Sequence, residues 1–190
     1  MEIMDTFKTP VFTSKLSLDI VPLINKIHKL KDKNPIGRKR SNEGGWQSEP
    51  IKNLSKNLIK ELNKNVSFFA KKIGLKTPLK LTHLWANINN YNDYNVSHIH
   101  PGSQLSGVFY LKVPKNSGNI VFVNPVGNSL LYNWNGNHIT SYNNYTSYKF
   151  TYDSETLRLF LFPGWLNHYV ERSQNEKEER ISISFNYEYI

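Results

Sequence analysis

Residues 79–113, LKLTHLWANINNYNDYNVSHIHPGSQLSGVFYLKV, begin a series of short runs rich in β-branched and aromatic residues. Turn-forming Gly, Pro and Asn residues separate these runs, for example at 114–118 and 162–164. The predicted strands cover residues 79–91, 104–113, 119–124, 130–134, 147–152, 157–162, 167–172 and 181–189. Strands that follow one another without intervening helices predict a mainly β fold, an antiparallel sandwich or barrel.

The first 78 residues have a helical pattern instead. Apolar residues recur at three- and four-residue steps over 21–30 and over 51–73, which predicts two helices. We expect Asp19 and Ser48 to cap their N-termini and Gly74 to end the second helix. The two helices are expected to pack on the outside of the β-barrel.

The composition is typical of one globular domain. The chain has 190 residues, of which 38% are hydrophobic and 21% charged, so we expect a single domain over 1–190, with a helical support (1–78) and a β core (79–190). No apolar run is long enough to span a membrane and the N-terminus does not resemble a signal peptide, which predicts a cytoplasmic protein. The absence of cysteine excludes thiolate ligands, so His, Asp or Glu must hold any metal.

The charge distribution bears on the partners of the protein. The net charge of +9 raises the question of nucleic acid binding. The basic residues crowd the first part of the chain, whereas residues 85–111 contain no Lys or Arg. We interpret the lysines as solvent-exposed helix faces, so nucleic acid is a less favoured partner than a small-molecule or peptide substrate.

Three of the six histidines are candidate metal ligands. His98 and His100 are two residues apart in an extended segment, so both imidazoles can point to the same side and reach one ion. His168 follows the turn at 163–165 and begins another predicted strand. In a barrel the two strands can be neighbours, which would bring the three rings together.

The strand after His168 adds a charged candidate. Apolar residues alternate there with Arg180, Ser182 and Ser184, so these three share one face. A buried guanidinium needs an anionic partner, because an unpaired buried charge is costly. A bound dicarboxylate would meet that need through the planar fork of the arginine.

Four stretches of the sequence carry a pattern of histidine, arginine and tryptophan. They are Trp85–Tyr91, His98–Leu111, Leu161–His168 and Arg180–Asn186. Together they resemble the iron(II)- and 2-oxoglutarate-dependent oxygenases, and are similar to a group from marine bacteria and their phages. The resemblance implies a double-stranded β-helix fold, which is a jelly-roll or cupin-like barrel. It also implies that the protein is a dioxygenase, a hydroxylase, which uses Fe(II), 2-oxoglutarate and molecular oxygen.

The resemblance also implies the roles of the histidines. His98 matches the first iron ligand and His168 the distal ligand. Most members of the family carry Asp or Glu where this chain has His100. Imidazole still suits iron, so we expect His100 to be the third ligand, with Asp93 as the alternative.

The co-substrate residues follow in the same way. The resemblance implies that Arg180 pairs with the distal carboxylate of 2-oxoglutarate and that Ser182 supports it. Tyr110 matches a position that often donates a second hydrogen bond to this carboxylate, and Tyr91 is a weaker candidate.

Two other functions stay open on the sequence. One is a three-His cupin-type dioxygenase whose substrate chelates iron directly and which has no need of Arg180. The other is a non-enzymatic jelly-roll module that binds sugar or nucleic acid, which the aromatic, Asn-rich segment 132–152 would suit. The loops at 38–47 and 124–145 are expected to face the substrate, and we interpret residues 44–47 as a turn rather than a lid.

Overall fold

The computed structural model describes residues 2–134 and 136–189 and leaves Met1, Asn135 and Ile190 outside the described residues. Within the described residues the chain forms eleven strands and three helices. The strands are β1 (Phe12–Lys15), β2 (Asn42–Glu43), β3 (Trp46–Gln47), β4 (Lys80–Asn89), β5 (Tyr94–His98), β6 (Leu105–Lys112), β7 (Ile120–Val123), β8 (Lys149–Tyr152), β9 (Arg158–Pro163), β10 (His168–Val170) and β11 (Arg180–Glu188). The helices are α1 (Val21–Lys33), α2 (Lys56–Lys72) and α3 (Gly127–Asn133).

The strands form two antiparallel sheets. One has the order β1-β9-β6-β11-β4-β3 and the other the order β2-β5-β10-β7-β8. Except for β3/β4 and β7/β8, neighbours in these orders are not consecutive strands of the chain, as expected when the chain crosses repeatedly between two sheets. The prediction of a mainly β fold with jelly-roll character is confirmed.

The side chains of the larger sheet alternate between two cores. On β11, Ile181, Ile183 and Phe185 pack in the same buried cluster as residues of α1 and α2, such as Ile27 and Leu62. This arrangement places the two helices on the outer face of the sheet, as predicted.

The inner face of the larger sheet packs against the smaller sheet. Phe160 and Phe162 on β9 form a second buried cluster with Ile120 and Phe122 on β7. The polar residues of β11 also belong to this inner face, since they alternate with the apolar ones. The inner face therefore carries the candidate functional residues.

The helix boundaries are partly as predicted. Gly74, at φ +81°, follows the end of α2, as predicted. The prediction that Asp19 is the N-cap of α1 is wrong: the N-cap residue is Ile20, without a side-chain cap, although the Asp19 carboxylate accepts a hydrogen bond from the backbone N–H of Val21 (3.1 Å). The prediction that Ser48 caps the second helix is wrong. Ser55 is the N-cap and accepts from the N–H of Leu58, because the Ser48 hydroxyl accepts from the backbone N–H of Ala86 instead.

One predicted strand is wrong and several short strands were not predicted. Residues 130–134 lie mostly in α3, where the N–H groups of Leu130 and Trp134 bond to carbonyls four residues earlier. Strands β1, β2 and β3 are too short to show a periodicity, and β5 was predicted only as an extended segment. None of the helices in the described part of the chain is long and apolar enough to cross a membrane.

Candidate metal centre

Three histidines meet between the two sheets. Strand β10 pairs with β5, and the register places His168 directly opposite His98, with ring centroids 4.4 Å apart. His100 lies just beyond β5, and its Nε2 is 3.3 Å from Nε2 of His168. One ligand atom from each of the three lies within 4.8 Å of the others. The cluster could therefore hold one metal ion.

Backbone hydrogen bonds fix the orientation of two of the rings. Nδ1 of His98 lies 2.7 Å from the carbonyl oxygen of Val96, and Nδ1 of His168 lies 2.9 Å from that of Leu166. A carbonyl can only accept, so each Nδ1 carries the proton and each Nε2 presents a lone pair. This is the tautomer that a metal bound at Nε2 requires.

Burial keeps the three imidazoles neutral. It lowers the pKa of His98, lowers the pKa of His100 to about 4 and lowers the pKa of His168 to about 3. Nearby His98 is a second, smaller cause of the last two shifts, because like charges oppose protonation. Neutral imidazole is the form that binds metal, so the cluster is ready for an ion at neutral pH.

Asp93, the alternative third ligand, does not join the cluster. Its Oδ2 accepts a hydrogen bond from the N–H of Asn90 (2.7 Å), so the carboxylate closes the turn between β4 and β5. Within 2–134 and 136–189, the His/Cys/Asp/Glu group with metal-binding geometry consists of the three histidines. The remaining histidines of the chain lie outside it: His28, His83 and His138.

A cavity extends from the histidines along the inner face of the larger sheet. About 40 Å³ of it is open to the centres of water molecules, about three times what one water needs, so it is a narrow slot. Arg180, Ser182 and Ser184 line it along β11, over a span of roughly 13 Å at the usual rise of a strand. The slot therefore connects the histidines with Arg180.

Arg180 is buried without an anionic partner. Its side chain is 2% exposed, and its Nη1 donates to the carbonyl oxygens of Ser117 (2.6 Å) and Gly118 (2.9 Å). In the described part of the chain no carboxylate forms an ion pair with it. Burial lowers the pKa of Arg180, which Tyr110 and Asp93 oppose. The site thus contains a desolvated cation whose charge the neighbouring residues do not neutralise by contact.

Buried polar atoms without a partner concentrate at this cavity. Among the described residues, five buried side-chain polar atoms lack a hydrogen bond, and three of them belong to residues that line the slot: Asn87 Oδ1, Tyr110 Oη and Arg180 Nε. Such atoms are rare in proteins, and each costs about 1–3 kcal/mol. Two of the three, Tyr110 Oη and Arg180 Nε, are donors, so their position indicates a ligand that accepts hydrogen bonds.

The predicted co-substrate residues separate into two groups. Arg180, Ser182 and Tyr110 line the same cavity, and Ser182 pairs in register with Tyr110. Burial raises the pKa of Tyr110, so the phenol keeps its proton and can donate it. The structure does not bring Tyr91 to the site, because it lies in the turn between β4 and β5 with 44% of its surface exposed.

The cavity also contains residues that were not predicted as site residues, among them four with polar or indole side chains. Trp85 and Asn87 on β4, Asn95 on β5 and Ser41 before β2 also line it. The alternation used for β11 also places Trp85 and Asn87 on the inner face of β4, whereas Ser41 and Asn95 carry no such signal.

The two predicted substrate loops lie in different places. Ser41, from the loop at 38–47, lines the slot, whereas residues of the loop at 124–145 line a separate groove of about 710 Å³ beside residues 4–11. Of residues 44–47, interpreted as a turn, residues 44–45 form the turn between β2 and β3, with Gly44 at φ +72°. Trp46 and Gln47 form strand β3 instead, and the buried Trp46 donates its indole N–H to the carbonyl of Asn34.

Solved structures with a similar fold include three prolyl hydroxylases. The prolyl 4-hydroxylase of Pseudomonas putida has a TM-score of 0.63 at 11% identity, covering 96% of this chain and 94% of that one. The viral collagen prolyl hydroxylase of Paramecium bursaria Chlorella virus 1, solved with 2-oxoglutarate, has a TM-score of 0.61 at 11% identity, covering 94% and 96%. The Trichoplax adhaerens prolyl hydroxylase, solved with a hypoxia inducible factor peptide, has a TM-score of 0.61 at 15% identity, covering 93% and 82%. The TM-scores establish a common fold, the double-stranded β-helix, and at such low identities they establish the fold alone.

The sequence comparisons establish the family. A search of curated proteins finds no match. A family model described as "Putative 2OG-Fe(II) oxygenase" matches residues 83–186, which include all three histidines and Arg180. The chain therefore belongs to this 2OG-Fe(II) oxygenase family, whose members use Fe(II) and 2-oxoglutarate.

Proposed function

We propose that this protein is an Fe(II)- and 2-oxoglutarate-dependent dioxygenase that hydroxylates its substrate. In this proposal His98, His100 and His168 hold the iron, and Arg180 holds the distal carboxylate of 2-oxoglutarate. The observation that carries the proposal is the position of Arg180. It is buried without an ion-pair partner, in the same narrow slot as three convergent neutral imidazoles.

The donor set fits a divalent iron ion. Nε2 of His100 and Nε2 of His168 are 3.3 Å apart, and the Nε2 of His168 presents a lone pair because its Nδ1 carries the proton. If His100 also presented a lone pair, the two would repel one another. A cation between them removes the repulsion, and imidazole is a suitable ligand for iron.

The far end of the slot fits a carboxylate. Arg180 Nε is a donor without a partner, and the Tyr110 hydroxyl makes no hydrogen bond of good geometry, although Ser154 lies near enough to oppose the rise that burial causes in its pKa. A carboxylate accepts from several donors at once. The charge-assisted bonds would also neutralise the guanidinium. Ser182 lies beside Tyr110 in register. Its hydroxyl is a third donor on the same wall, after the guanidinium of Arg180 and the phenol of Tyr110.

The residues of the chain bind and orient the reactants in this mechanism. Bound Fe(II) and 2-oxoglutarate supply oxygen chemistry that couples decarboxylation of 2-oxoglutarate to succinate with oxidation of a substrate. Arg180 and Tyr110 fix one end of the co-substrate, and Phe162, Val108 and Ile120 exclude water from the wall of the slot. Held in this way, the co-substrate has one orientation relative to the histidines.

The roles of the other cavity side chains differ from these. Asn87 donates from Nδ2 to the Ser184 hydroxyl (3.1 Å), and its Oδ1 is left as an acceptor. 2-Oxoglutarate has no donor at neutral pH, so this oxygen is not a partner for it in the present rotamer. The Asn87 amide is therefore not assigned to the co-substrate.

Anaerobic titration tests the proposal. Addition of Fe(II) and then 2-oxoglutarate to the protein should produce the weak visible charge-transfer band of chelated 2-oxoglutarate, with one equivalent of each. Fe(II) binding without 2-oxoglutarate binding would favour the three-His cupin-type dioxygenase. A protein that binds no iron would favour the binding module.

A further inference from the structure

His100 is held differently from the other two histidines. Backbone carbonyls accept the Nδ1–H of His98 and of His168. Among the described residues, the His100 ring makes one hydrogen bond, which joins its Nε2 to Nε2 of His168. Its backbone lies in the loop after β5, anchored by its own N–H to the carbonyl of Gly164 (2.8 Å). The ring plane of His100 is thus not fixed by a hydrogen bond at Nδ1.

An indole ring contacts the face of His100 instead. The rings of Trp85 and His100 have centroids 5.7 Å apart and an angle of 28° between their planes, which is an offset stack. The His100 and His168 rings are 7° from parallel with centroids 5.1 Å apart. With their Nε2 atoms 3.3 Å apart and their centroids 5.1 Å apart, these two nearly parallel rings are strongly offset from one another. The face of His100 therefore remains available to Trp85.

The sheet fixes the position of Trp85. It lies on β4, opposite Ser184 of β11, between Leu84 and Ala86, which point into the core beneath the helices. The alternation of the strand therefore directs the indole to the inner face, where it lines the slot. Because Trp85 is held in a strand, its contact can fix the orientation of the ring of His100, which lies in a loop.

We propose that Trp85 is a positioning residue that holds the imidazole plane of His100 for metal coordination. The inference rests on the proposed function, since it concerns the metal that the three histidines would hold. Two effects act in the same direction. Stacking limits rotation of the ring, and the electron-rich indole face favours the positive charge that a metal ion places on the imidazole.

The second effect matters because of the ligand set. Three imidazoles leave the full charge of a divalent ion on the protein, whereas a carboxylate ligand would remove one unit. No acidic side chain of the described residues joins the cluster. Among the described residues other than histidine, two aromatic rings lie against His100: Phe162 is tilted by 58° at 6.4 Å between centroids, whereas the indole of Trp85 is nearer and stacks its electron-rich face on the imidazole.

Binding of Co(II) alone tests the role of Trp85. Trp85→Leu should weaken Co(II) binding by about 3- to 30-fold, the range of an aromatic–cation contact, and Trp85→Phe, which keeps an aromatic face, should restore most of the affinity. Trp134→Leu is the matched control, since this half-exposed indole is not among the rings of the described residues that contact the three histidines. Trp85→Met, with a long apolar chain and no ring, replaces Trp85→Leu if that variant does not fold.

Two further readouts separate positioning from general packing. In a His100→Ala background, Trp85→Leu should cause no further loss of affinity, because Trp85 acts through His100. The visible absorption of bound Co(II) in Trp85→Leu should also approach that of His100→Ala. Equal Co(II) affinity in Trp85→Leu and the parent, or an undiminished loss in the His100→Ala background, would overturn the inference. A parent that binds no Co(II) would overturn the metal site of the proposed function as well.

Discussion

Replacement of Arg180 is the sharpest test of the co-substrate site. Its guanidinium is 2% exposed, has two carbonyl acceptors for Nη1 and has no partner for Nε. An anion bound here would therefore meet a desolvated donor, not a screened surface charge. Arg180→Ala should remove most of the affinity for 2-oxoglutarate and leave Fe(II) binding nearly unchanged.

The magnitude follows from burial. Loss of one partner of a desolvated, hydrogen-bonded charge pair costs about 2–5 kcal/mol, whereas an exposed ion pair contributes about 0–1 kcal/mol. We therefore expect 2-oxoglutarate to bind more than about tenfold more weakly to Arg180→Ala. Arg180→Lys should restore only part of the loss, because an ammonium cannot reproduce two parallel N–H bonds.

Two assays measure this change. Anaerobic titration gives the dissociation constant of 2-oxoglutarate in the presence of Fe(II), and thermal unfolding gives an independent readout. The parent should gain about 2.7 kcal/mol of stability at a 2-oxoglutarate concentration a hundred times its dissociation constant, and Arg180→Ala should gain much less at that concentration.

Arg180→Ala protein that consumes 2-oxoglutarate with the Michaelis constant of the parent would refute the reasoning. If the parent also fails to bind 2-oxoglutarate, the buried guanidinium serves another anion, and the cupin-type dioxygenase or the binding module becomes the better explanation.

The remaining predictions concern the histidines. His98→Ala and His168→Ala should abolish stoichiometric Fe(II) binding, measured by metal analysis after anaerobic gel filtration, while circular dichroism shows an intact fold. Matched controls that should retain the metal are His28→Ala, His83→Ala and His138→Ala. His100→Ala should lower Fe(II) affinity and Asp93→Ala should not, and the reverse result in the same titration would make Asp93 the ligand. Because burial depresses the pKa of His100 to about 4 and of His168 to about 3, the stability they contribute to the metal-free protein is fully present above about pH 6.5 and declines as the pH falls toward 4. Urea unfolding at pH 7 and pH 4.5 should differ by about 4–5 kcal/mol more in the parent than in a His100→Ala/His168→Ala protein.

The same pKa values alter an expectation based on free histidine. Unperturbed imidazoles would lose metal below about pH 6, where they become protonated. In the folded protein the imidazoles stay neutral to lower pH, since burial disfavours their charged form. We expect the metal to be retained at pH 5 and lost as the pH approaches 4, which titration of bound metal against pH would show.

Strand patterns and the polar face of β11 could be predicted from the sequence because they depend on local periodicity. Alternation along 180–188 assigns Ile181, Ile183 and Phe185 to one face and Arg180 to the other without knowledge of any partner strand. The spacing of His98 and His100 likewise indicates a shared side. Residues 21–33 form a helix for the same kind of reason, since their apolar residues follow a helical period.

Features that depend on a distant partner required the tertiary structure. Ser48 resembles a helix cap in sequence, but its hydroxyl is taken by the N–H of Ala86 on β4, and Ser55 caps the helix instead. Residues 130–134 have the composition of a strand, yet local i to i−4 hydrogen bonds form there and they join neither sheet. Tyr91 follows a strand whose side chains line the slot, but it falls in the exposed turn.

The site itself combines both kinds of information. The residues that could bind a metal and an anion can be identified from the sequence alone, because metal and anion binding depend on the chemistry of the side chains. The position of His168 opposite His98, seventy residues away, depends on the three-dimensional fold, because β10 inserts between β5 and β7. The burial of Arg180 without a carboxylate in contact, and the stacking of Trp85 on His100, depend on the fold in the same way. These facts arise from contacts between strands distant in sequence, which no local pattern of residues records.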